Sequence, residues 1–269
     1  MLEFITVPLA SSRSRISGSS ASTILFNPHT HEPFLAIPGS PFILTPPRLA
    51  DVPARVTLLN SPSVAPYLYS PPNPYLATHA RARTTDSLEE ADGVVQRWLQ
   101  SGTVEGCPFQ AIREVGADGT ETFVGELGVF RESTFIEVAQ GAERDSVVET
   151  NLARAPGDPE IVWTMFCESL QCSRSMRALT ASHAAVLLLP EFAGRGVMSQ
   201  ALSHLFEAFL VPSTLLNVRH ILSYAFVGND GSRRVHEKLG FVVFGTDWLD
   251  MPEDRGGGKR EEWIFEWKK

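Results

Sequence analysis

The stretch LLLPEFAGRGVMSQALSHLFEAFL, residues 187–210, joins an apolar run to an amphipathic segment through two glycines that flank an arginine. The run HAAVLLLP (183–190) is short and continuously apolar, which predicts a buried central strand. Beyond the glycines, apolar side chains recur at helical intervals until Pro212, which predicts a helix that stops there. The sequence therefore predicts a strand, a bare turn and a helix in immediate succession.

The glycine turn has the physical properties of an anion site. A helix that starts directly after a strand presents unpaired backbone N–H groups and the positive end of its dipole. Gly194 and Gly196 remove side chains from this turn, and Arg195 adds positive charge. Three interpretations compete here: a tight loop without function, a dinucleotide fingerprint, or a seat for another phosphorylated cofactor.

Known phosphate and hydrolase motifs fit the turn poorly. Ser199 stands where a G-x-G-x-x-G dinucleotide motif requires its third glycine. No G-K-[ST] sequence follows, which excludes a Walker loop, and no G-x-S-x-G elbow of a hydrolase is present.

Regular patterns on both sides of this unit predict a mixed α/β fold. Strands are expected within 42–51 and 219–227, in a hairpin of 108–115 with 121–132, and in two final segments, FVVFGTDW and EEWIFEWK. Helices are expected within 50–64, from Ser87 onward, in 158–170, and in a segment that ends at Gly240. Residues 66–77 are rich in proline and predict a loop.

Composition narrows the class of protein. The 269 residues carry a formal net charge of −8, which argues against a general nucleic-acid surface. No uninterrupted apolar segment is long enough to cross a bilayer, so no membrane partner is expected. The three cysteines lack zinc-like spacing, and His29 and His31 lack a third ligand, so no metal is expected. We expect a cytoplasmic protein, while the Ser-rich start with two arginines leaves organellar import open.

Two motifs read together resemble a known superfamily. LLPEFAGRGVMSQAL, followed by NDGSRRVHEKLGF at 229–241, resembles the GNAT superfamily of acetyl-coenzyme A-dependent N-acetyltransferases. LTPPRLADVPARVTLLNSPSV (44–64) and FVGELGVF (123–130) are similar to the branch of ribosomal-protein N-terminal acetyltransferases. The resemblance implies a central mixed, twisted sheet of six or seven strands, flanked by helices and splayed at its central parallel strands. It covers 41–269, with an unmatched insertion at 133–180 and an irregular extension at 1–40.

The resemblance also implies where acetyl-CoA binds. The family's pyrophosphate loop starts at Ala193, has its central glycine at Gly196 and ends at Met198. Ala193 and Met198 depart from the family pattern, and the Met198 side chain either fills the cofactor's space or points into the core. The diphosphate is expected to contact seven residues: Ala193, Gly194, Arg195, Gly196, Val197, Met198 and Ser199.

Residues of the second motif are expected at the reacting end of the cofactor. The resemblance implies that Asn229 and Ser232 lie along the pantetheine arm, and that His236 protonates the departing thiolate. Leu189 is expected to hold the acetyl carbonyl through its N–H, because Pro190 has none.

The base has no clear candidate in the strand itself. Glu126, on the neighbouring hairpin strand, has the family-like location, and a chain of water molecules is the alternative. Tyr224 lies on the following strand, in either the core or the cleft.

The resemblance implies an N-acetyltransferase that moves an acetyl group from acetyl-CoA to a primary amine by direct attack in a ternary complex. The acceptor is a small molecule or a peptide N-terminus, and the chain is a monomer or a homodimer. The alternative is a GNAT-fold protein that holds CoA without turnover and serves a regulatory role. A relic that binds no CoA is a third possibility.

Overall fold

The computed structural model describes residues 24–27, 30–135, 138, 140–165 and 186–269. The helices are α1 Val52–Leu59, α2 Ala77–Ser101, α3 Ala142–Ala153, α4 Val197–Leu205 and α5 Asp230–Lys238. The strands are β1 Leu25–Phe26, β2 Pro33–Ala36, β3 Phe42–Thr45, β4 Ala111–Val115, β5 Glu121–Glu126, β6 Phe130–Arg131, β7 Val162–Thr164, β8 Leu187–Leu188, β9 His220–Phe226, β10 Val242–Asp250 and β11 Lys259–Lys268. Within these ranges, no helix combines the length and apolar character that a bilayer crossing requires.

The strands form two sheets that part beside the glycine turn. One sheet has the order β1-β2-β3-β4-β5-β8 and is antiparallel throughout. The other has the order β10-β11-β9-β7-β6, in which β7 and β9 are parallel. The predicted mixed α/β fold is confirmed, but its single sheet is divided, because β8 and β9 belong to different sheets.

Helix α4 crosses from β8 to β9 and packs its apolar face into the main core. The buried side chains of α4 are Val197, Met198, Ala201, Leu202 and Leu205. A π-helical turn at Phe206–Leu210 follows and extends this buried face. Fully burying one such large apolar side chain contributes about 1.5–3 kcal/mol. The helical periodicity seen in the sequence therefore corresponds to a real buried face.

The described part of the N-terminal segment joins the first sheet. Residues 24–40, expected to be irregular, contain β1 and β2, and β2 pairs with β3. The sequence of this segment shows no sustained strand period. Its backbone N–H and C=O groups are satisfied by pairing with β3. Residues 1–23 lie outside the described part of the chain.

Helix α2 begins well before the predicted start at Ser87. The Leu76 N–H donates to His79 Nδ1 at 3.1 Å and so caps the first turn. Ser87 lies inside the helix and is buried. Ser87 and Glu90 have capping-box spacing, but they do not mark the start of the helix, because His79 caps it further upstream.

The predicted helix at 158–170 is wrong over its described part, where β7 forms instead. Asn151 of α3 donates from Nδ2 to the Val162 carbonyl at 2.8 Å and accepts from the Val162 N–H at 2.8 Å. Together with parallel pairing to β9, this amide bridge holds the segment extended. Tertiary pairing overrides the local helical pattern.

Candidate functional site

The glycine turn is exposed and has the backbone conformation that only glycine adopts readily. Gly194 has a φ of +72° and Gly196, which precedes α4, a φ of +79°. A Cβ built on Gly194 would meet no atom within 4 Å, so the backbone angle and not crowding requires glycine. The first helical hydrogen bond after the turn joins the Gln200 N–H to the Gly196 carbonyl at 3.0 Å. The N–H groups of Val197, Met198 and Ser199 consequently precede the helical ladder.

Met198 leaves the turn open. Its side chain is only 6% exposed and belongs to the main core cluster. Of the two orientations considered for Met198, the structure has the one that points into the core. Arg195 is exposed beside the turn, with its guanidinium 5.2 Å from the ring centre of Phe192.

A cavity lies where the two sheets part. β8 and β9 both contribute to its wall, together with the cap of α5, the loop before α2, and strands β10 and β11. Its lining residues are Tyr67, Tyr69, Val186, Leu187, Tyr224, Ala225, Phe226, Asn229, Ser232, His236, Leu249 and Glu262. The gap between the sheets is thus a real space, and β8, which leads into the glycine turn, forms part of its wall.

The Leu189 N–H does not point into this gap. It donates to the Val124 carbonyl of the neighbouring hairpin at 2.9 Å, so it is already engaged. Hydrogen-bonding direction alternates along an antiparallel strand, and Leu188 is therefore the residue that turns its N–H toward the other edge of β8. The Leu189 N–H is therefore not free to hold the acetyl carbonyl, because the register of β8 on β5 engages it.

Asn229 and Ser232 both line the cavity, and Asn229 is also the N-cap of α5. Asn229 Oδ1 accepts from the Ser232 N–H at 3.1 Å, which satisfies one orphan donor of the helix. The cap fixes where both polar side chains stand at the wall of the cavity.

His236 lies at the bottom of the cavity in its neutral form. Its Nδ1 donates to the Ser232 carbonyl at 2.8 Å, which leaves Nε2 to accept from Ser223 Oγ at 2.8 Å. The ring stacks on Phe265 at 4.3 Å. Burial lowers the pKa of His236 from 6.5 to about 4. An imidazole with both nitrogens engaged and such a low pKa is a poor source of protons near neutral pH.

Glu126 is held in a buried ion pair. Its Oε2 lies 2.6 Å from Arg55 Nη2, and Arg55 also donates to Thr84 Oγ1 at 2.8 Å. Glu126 is only 1% exposed and does not line the cavity. The carboxylate with the family-like location therefore faces a cation of α1.

Tyr224 lines the cavity and is also anchored. Its hydroxyl donates to Glu132 Oε2 at 3.1 Å. Glu132 in turn accepts at Oε1 from the N–H groups of Ser133 and Thr134, at 2.8 and 2.6 Å. The two readings of Tyr224, core or cleft, both apply, since its ring is buried and it also contributes to the cavity wall.

The sequence argument did not single out Glu262. This residue of β11 is 4% exposed and lines the cavity. Burial and the nearby Asp247 raise the pKa of Glu262 from 4.5 to about 8. Strand alternation contained the signal, because Glu262 shares a face with Ile264, an apolar residue of the kind that packs inward.

Groups of three or more His, Cys, Asp or Glu side chains arranged to hold a metal are not found among the residues described here. Cys107 is buried, and its pKa is raised to about 12, which makes its thiol unreactive. His29, Cys167 and Cys172 lie outside the described residues.

Comparison with known proteins agrees with the resemblance read from the sequence. A family model described as an acetyltransferase (GNAT) domain matches residues 134–242. The match includes most of 133–180, the segment expected to be an unmatched insertion. No protein of curated function matches the sequence.

Several solved structures of acetyltransferases are similar to this chain. RimL, a ribosomal L7/L12 alpha-N-protein acetyltransferase, is 13% identical with a TM-score of 0.50, over 91% of this chain and 99% of that one. A GNAT-family acetyltransferase from Bacillus anthracis is 12% identical with a TM-score of 0.48, over 87% and 98%. The microcin C7 self-immunity acetyltransferase MccE, in complex with acetyl-CoA and AMP, is 11% identical with a TM-score of 0.46, over 87% and 96%. Residues 134–242 therefore match a GNAT acetyltransferase domain, in agreement with the resemblance that the two motifs carry.

Proposed function

We propose that this domain transfers an acetyl group from acetyl-CoA to a primary amine, with both substrates bound together between β8 and β9. The observation that carries the proposal is the cavity between β8 and β9, the two strands that flank the glycine turn and its helix.

The glycine turn would bind the diphosphate of acetyl-CoA. The residues fit this role, because the turn is exposed, Gly194 and Gly196 carry no side chain, and Met198 is turned inward. The unpaired N–H groups at the start of α4 and the guanidinium of Arg195 provide donors and positive charge. The whole segment from Ala193 to Ser199 remains the proposed diphosphate seat.

The acetyl carbonyl would be polarised by the Leu188 N–H. Because the Leu189 N–H is bonded to β5, alternation along the strand directs the Leu188 N–H to the opposite edge of β8, away from β5. A fixed donor aimed at the oxygen of the tetrahedral intermediate stabilises the charge that develops there. Asn229 and Ser232 would contact the arm of the cofactor along the opposite wall.

Tyr224 is our proposed donor of the proton that the departing thiolate takes up. Tyr224 lines the cavity, its ring is held by the core, and its hydroxyl is oriented by the hydrogen bond to Glu132. His236 is better suited to orient α5 against β9, through its hydrogen bonds to Ser232 and Ser223. Glu126 is better suited to hold α1 against β5.

The test measures thiol release and CoA binding on the full chain. Thiol release from acetyl-CoA in the presence of a panel of primary amines, with mass confirmation of the acetylated product, would support the transferase. Calorimetric binding of CoA with no product from any amine would instead favour a CoA-holding protein without turnover. A flat CoA titration would overturn both assignments.

The CoA-holding alternative rests on Met198, on the absence of a carboxylate in β8 and on the long insertion at 133–180. The first support is removed, because Met198 points into the core. The second support weakens as well, because the cavity has a buried carboxylate on a different strand.

A further inference from the structure

Glu262 is a buried acid with an oxygen that nothing satisfies. Its Oε1 has no hydrogen-bond partner among the residues that the structure describes, although the side chain is 96% removed from solvent. Burying a carboxylate without a partner is costly, and native structures normally pair such a group. A ligand in the cavity is an obvious candidate for the missing partner.

The charges around Glu262 favour a positive ligand. Asp247 on β10 stands directly opposite Glu262 in the antiparallel ladder, so two acids share one face. No Lys or Arg forms an ion pair with Glu262 in the described part of the chain. Arg260 lies two residues away, but its guanidinium stacks over Phe226 at 4.2 Å and donates to the Pro66 carbonyl.

The remaining polar groups at this end are neutral. Tyr67, Tyr69 and Tyr224 line the cavity together with Glu262. The pKa of Tyr69 is raised by burial, and Asp250 and Glu262 add to the shift. His236 is uncharged near neutral pH because burial lowers its pKa to about 4. Aromatic rings around a carboxylate bind an ammonium group well, since their faces are negative.

A covering loop limits the size of the acceptor. Residues 65–73 carry two of the tyrosines across this end of the cavity. Arg255 Nε donates to the Pro71 carbonyl at 2.8 Å, and the Tyr69 hydroxyl donates to the Asp250 carbonyl at 3.1 Å. These bonds tie the loop to the connection between β10 and β11, so the acceptor enters a bounded space.

We propose that the acceptor is a compact primary amine with an apolar or aromatic body, that it enters as its ammonium ion, and that Glu262 binds this ammonium and takes its proton. The proposal rests on the proposed acetyl transfer and specifies its acceptor. A carboxylate with a pKa near the working pH accepts a proton efficiently, and burial places Glu262 in that range.

The protons and bonds balance with Glu262 in this role. Glu262 takes one proton from the ammonium, and the nitrogen then forms a bond to the acetyl carbon. The bond between that carbon and sulfur breaks, and the thiolate takes a second nitrogen proton by way of Tyr224. The third proton stays on the amide nitrogen, and Glu262 returns its proton to solvent.

The test compares Glu262→Gln with Glu261→Gln, a neighbouring carboxylate on the opposite face of the same strand. Phenethylamine, its uncharged analogue phenethyl alcohol, and a short peptide with a free N-terminus serve as acceptors. We expect Glu262→Gln to lower kcat/KM for phenethylamine by about 10²-fold or more, the usual loss for a general base. For Glu262→Gln, the CoA dissociation constant should not rise and the midpoint of thermal unfolding should not fall. Glu261→Gln should behave as wild type.

The pH profile separates a proton acceptor from a structural residue. In wild type, kcat/KM should rise through a pKa near 8 as Glu262 ionises. Asp247→Asn should move this rise in kcat/KM to lower pH, because the substitution removes a negative charge beside Glu262. Glu262→Gln should abolish the rise. An unchanged rise in Glu262→Gln would overturn the proposal.

The experiment also separates this inference from the proposed function. Normal turnover by Glu262→Gln on every amine would reject the role of Glu262 and leave acetyl transfer standing. If wild type releases no thiol, calorimetry with phenethylamine alone decides the matter: binding by wild type and none by Glu262→Gln supports the ammonium site. Equal binding by both proteins, or preference for phenethyl alcohol, rejects it. A preference for the peptide over phenethylamine would reject the compact acceptor.

Discussion

Arg55 of α1 and Glu126 of β5 are joined by a buried ion pair, with 2.7 Å between Arg55 Nε and Glu126 Oε2. The two side chains are 5% and 1% exposed, and they are 71 residues apart in sequence. A carboxylate that the family pattern suggests as a base therefore fixes a helix against the first sheet.

Glu126→Gln is expected to lower the free energy of unfolding by about 3–5 kcal/mol, because it leaves the charge of Arg55 buried without a counter-ion. Urea denaturation measures this loss. Glu105→Gln is the matched control, because it breaks the exposed pair with Arg97 and should cost less than about 1 kcal/mol. A stable Glu126→Gln protein with a kcat about 10²-fold lower would instead make Glu126 the base.

Gly196→Ala is expected to weaken CoA binding. Alanine at a φ of +79° costs about 1–2 kcal/mol, and relief of this strain would turn the N–H groups of the first turn of α4 away from the diphosphate. We expect the CoA dissociation constant to rise about tenfold or more, the loss for one or two hydrogen bonds to a charged group. Calorimetry measures it.

Gly39→Ala controls for the backbone effect of Gly196→Ala. Gly39 has a φ of +71° in the remote turn between β2 and β3, with open space around a Cβ. Gly39→Ala should lower the free energy of unfolding by a similar amount and leave the CoA dissociation constant unchanged. If both variants bind CoA equally well, the diphosphate does not lie at the glycine turn.

Gly125→Ala is expected to separate β8 from β5. A Cβ on Gly125 would lie 2.4 Å from the Leu187 carbonyl oxygen, a distance that real contacts do not show. To relieve this clash β8 must move, which should lower the free energy of unfolding by about 1–3 kcal/mol. The movement displaces Leu188 and should therefore lower kcat. Gly245→Ala on β10 is the control, because a Cβ there meets nothing within 4 Å. It should leave the free energy of unfolding and kcat unchanged.

His236 is expected to make stability depend on pH. Its pKa falls from 6.5 to about 4 on folding, so below pH 6.5 the unfolded chain binds a proton that the folded chain does not. Stability contributed by the neutral imidazole is therefore present above pH 6.5 and is lost as the pH falls toward 4, by up to about 1.4 kcal/mol per pH unit.

Comparison of wild type with His236→Gln isolates this effect from that of Glu262, whose raised pKa acts in the opposite direction. The stability advantage of wild type over His236→Gln should shrink as the pH falls from 6.5 to 4. A constant difference across that range would mean that His236 is charged in the folded protein.

Local signals predicted most of the elements of the fold. The Asp-Gly turn between β4 and β5, the strand-turn-helix unit around Gly194 and the helix that ends before Gly240 all depend on residues close in sequence. The start of α2 and the strand β7 were missed because a histidine cap and an amide bridge from another helix decide them.

The sequence by itself determined the type of fold and the place of the glycine turn, since strand and helix periods and glycine conformations are local properties of the chain. Only the tertiary structure decided that Met198 turns inward, that the Leu189 N–H is engaged by β5, and that Glu262 is buried in the cavity while Glu126 is neutralised by Arg55. Register and burial settle these points, and both depend on segments that are far apart in sequence and meet only when the sheets assemble.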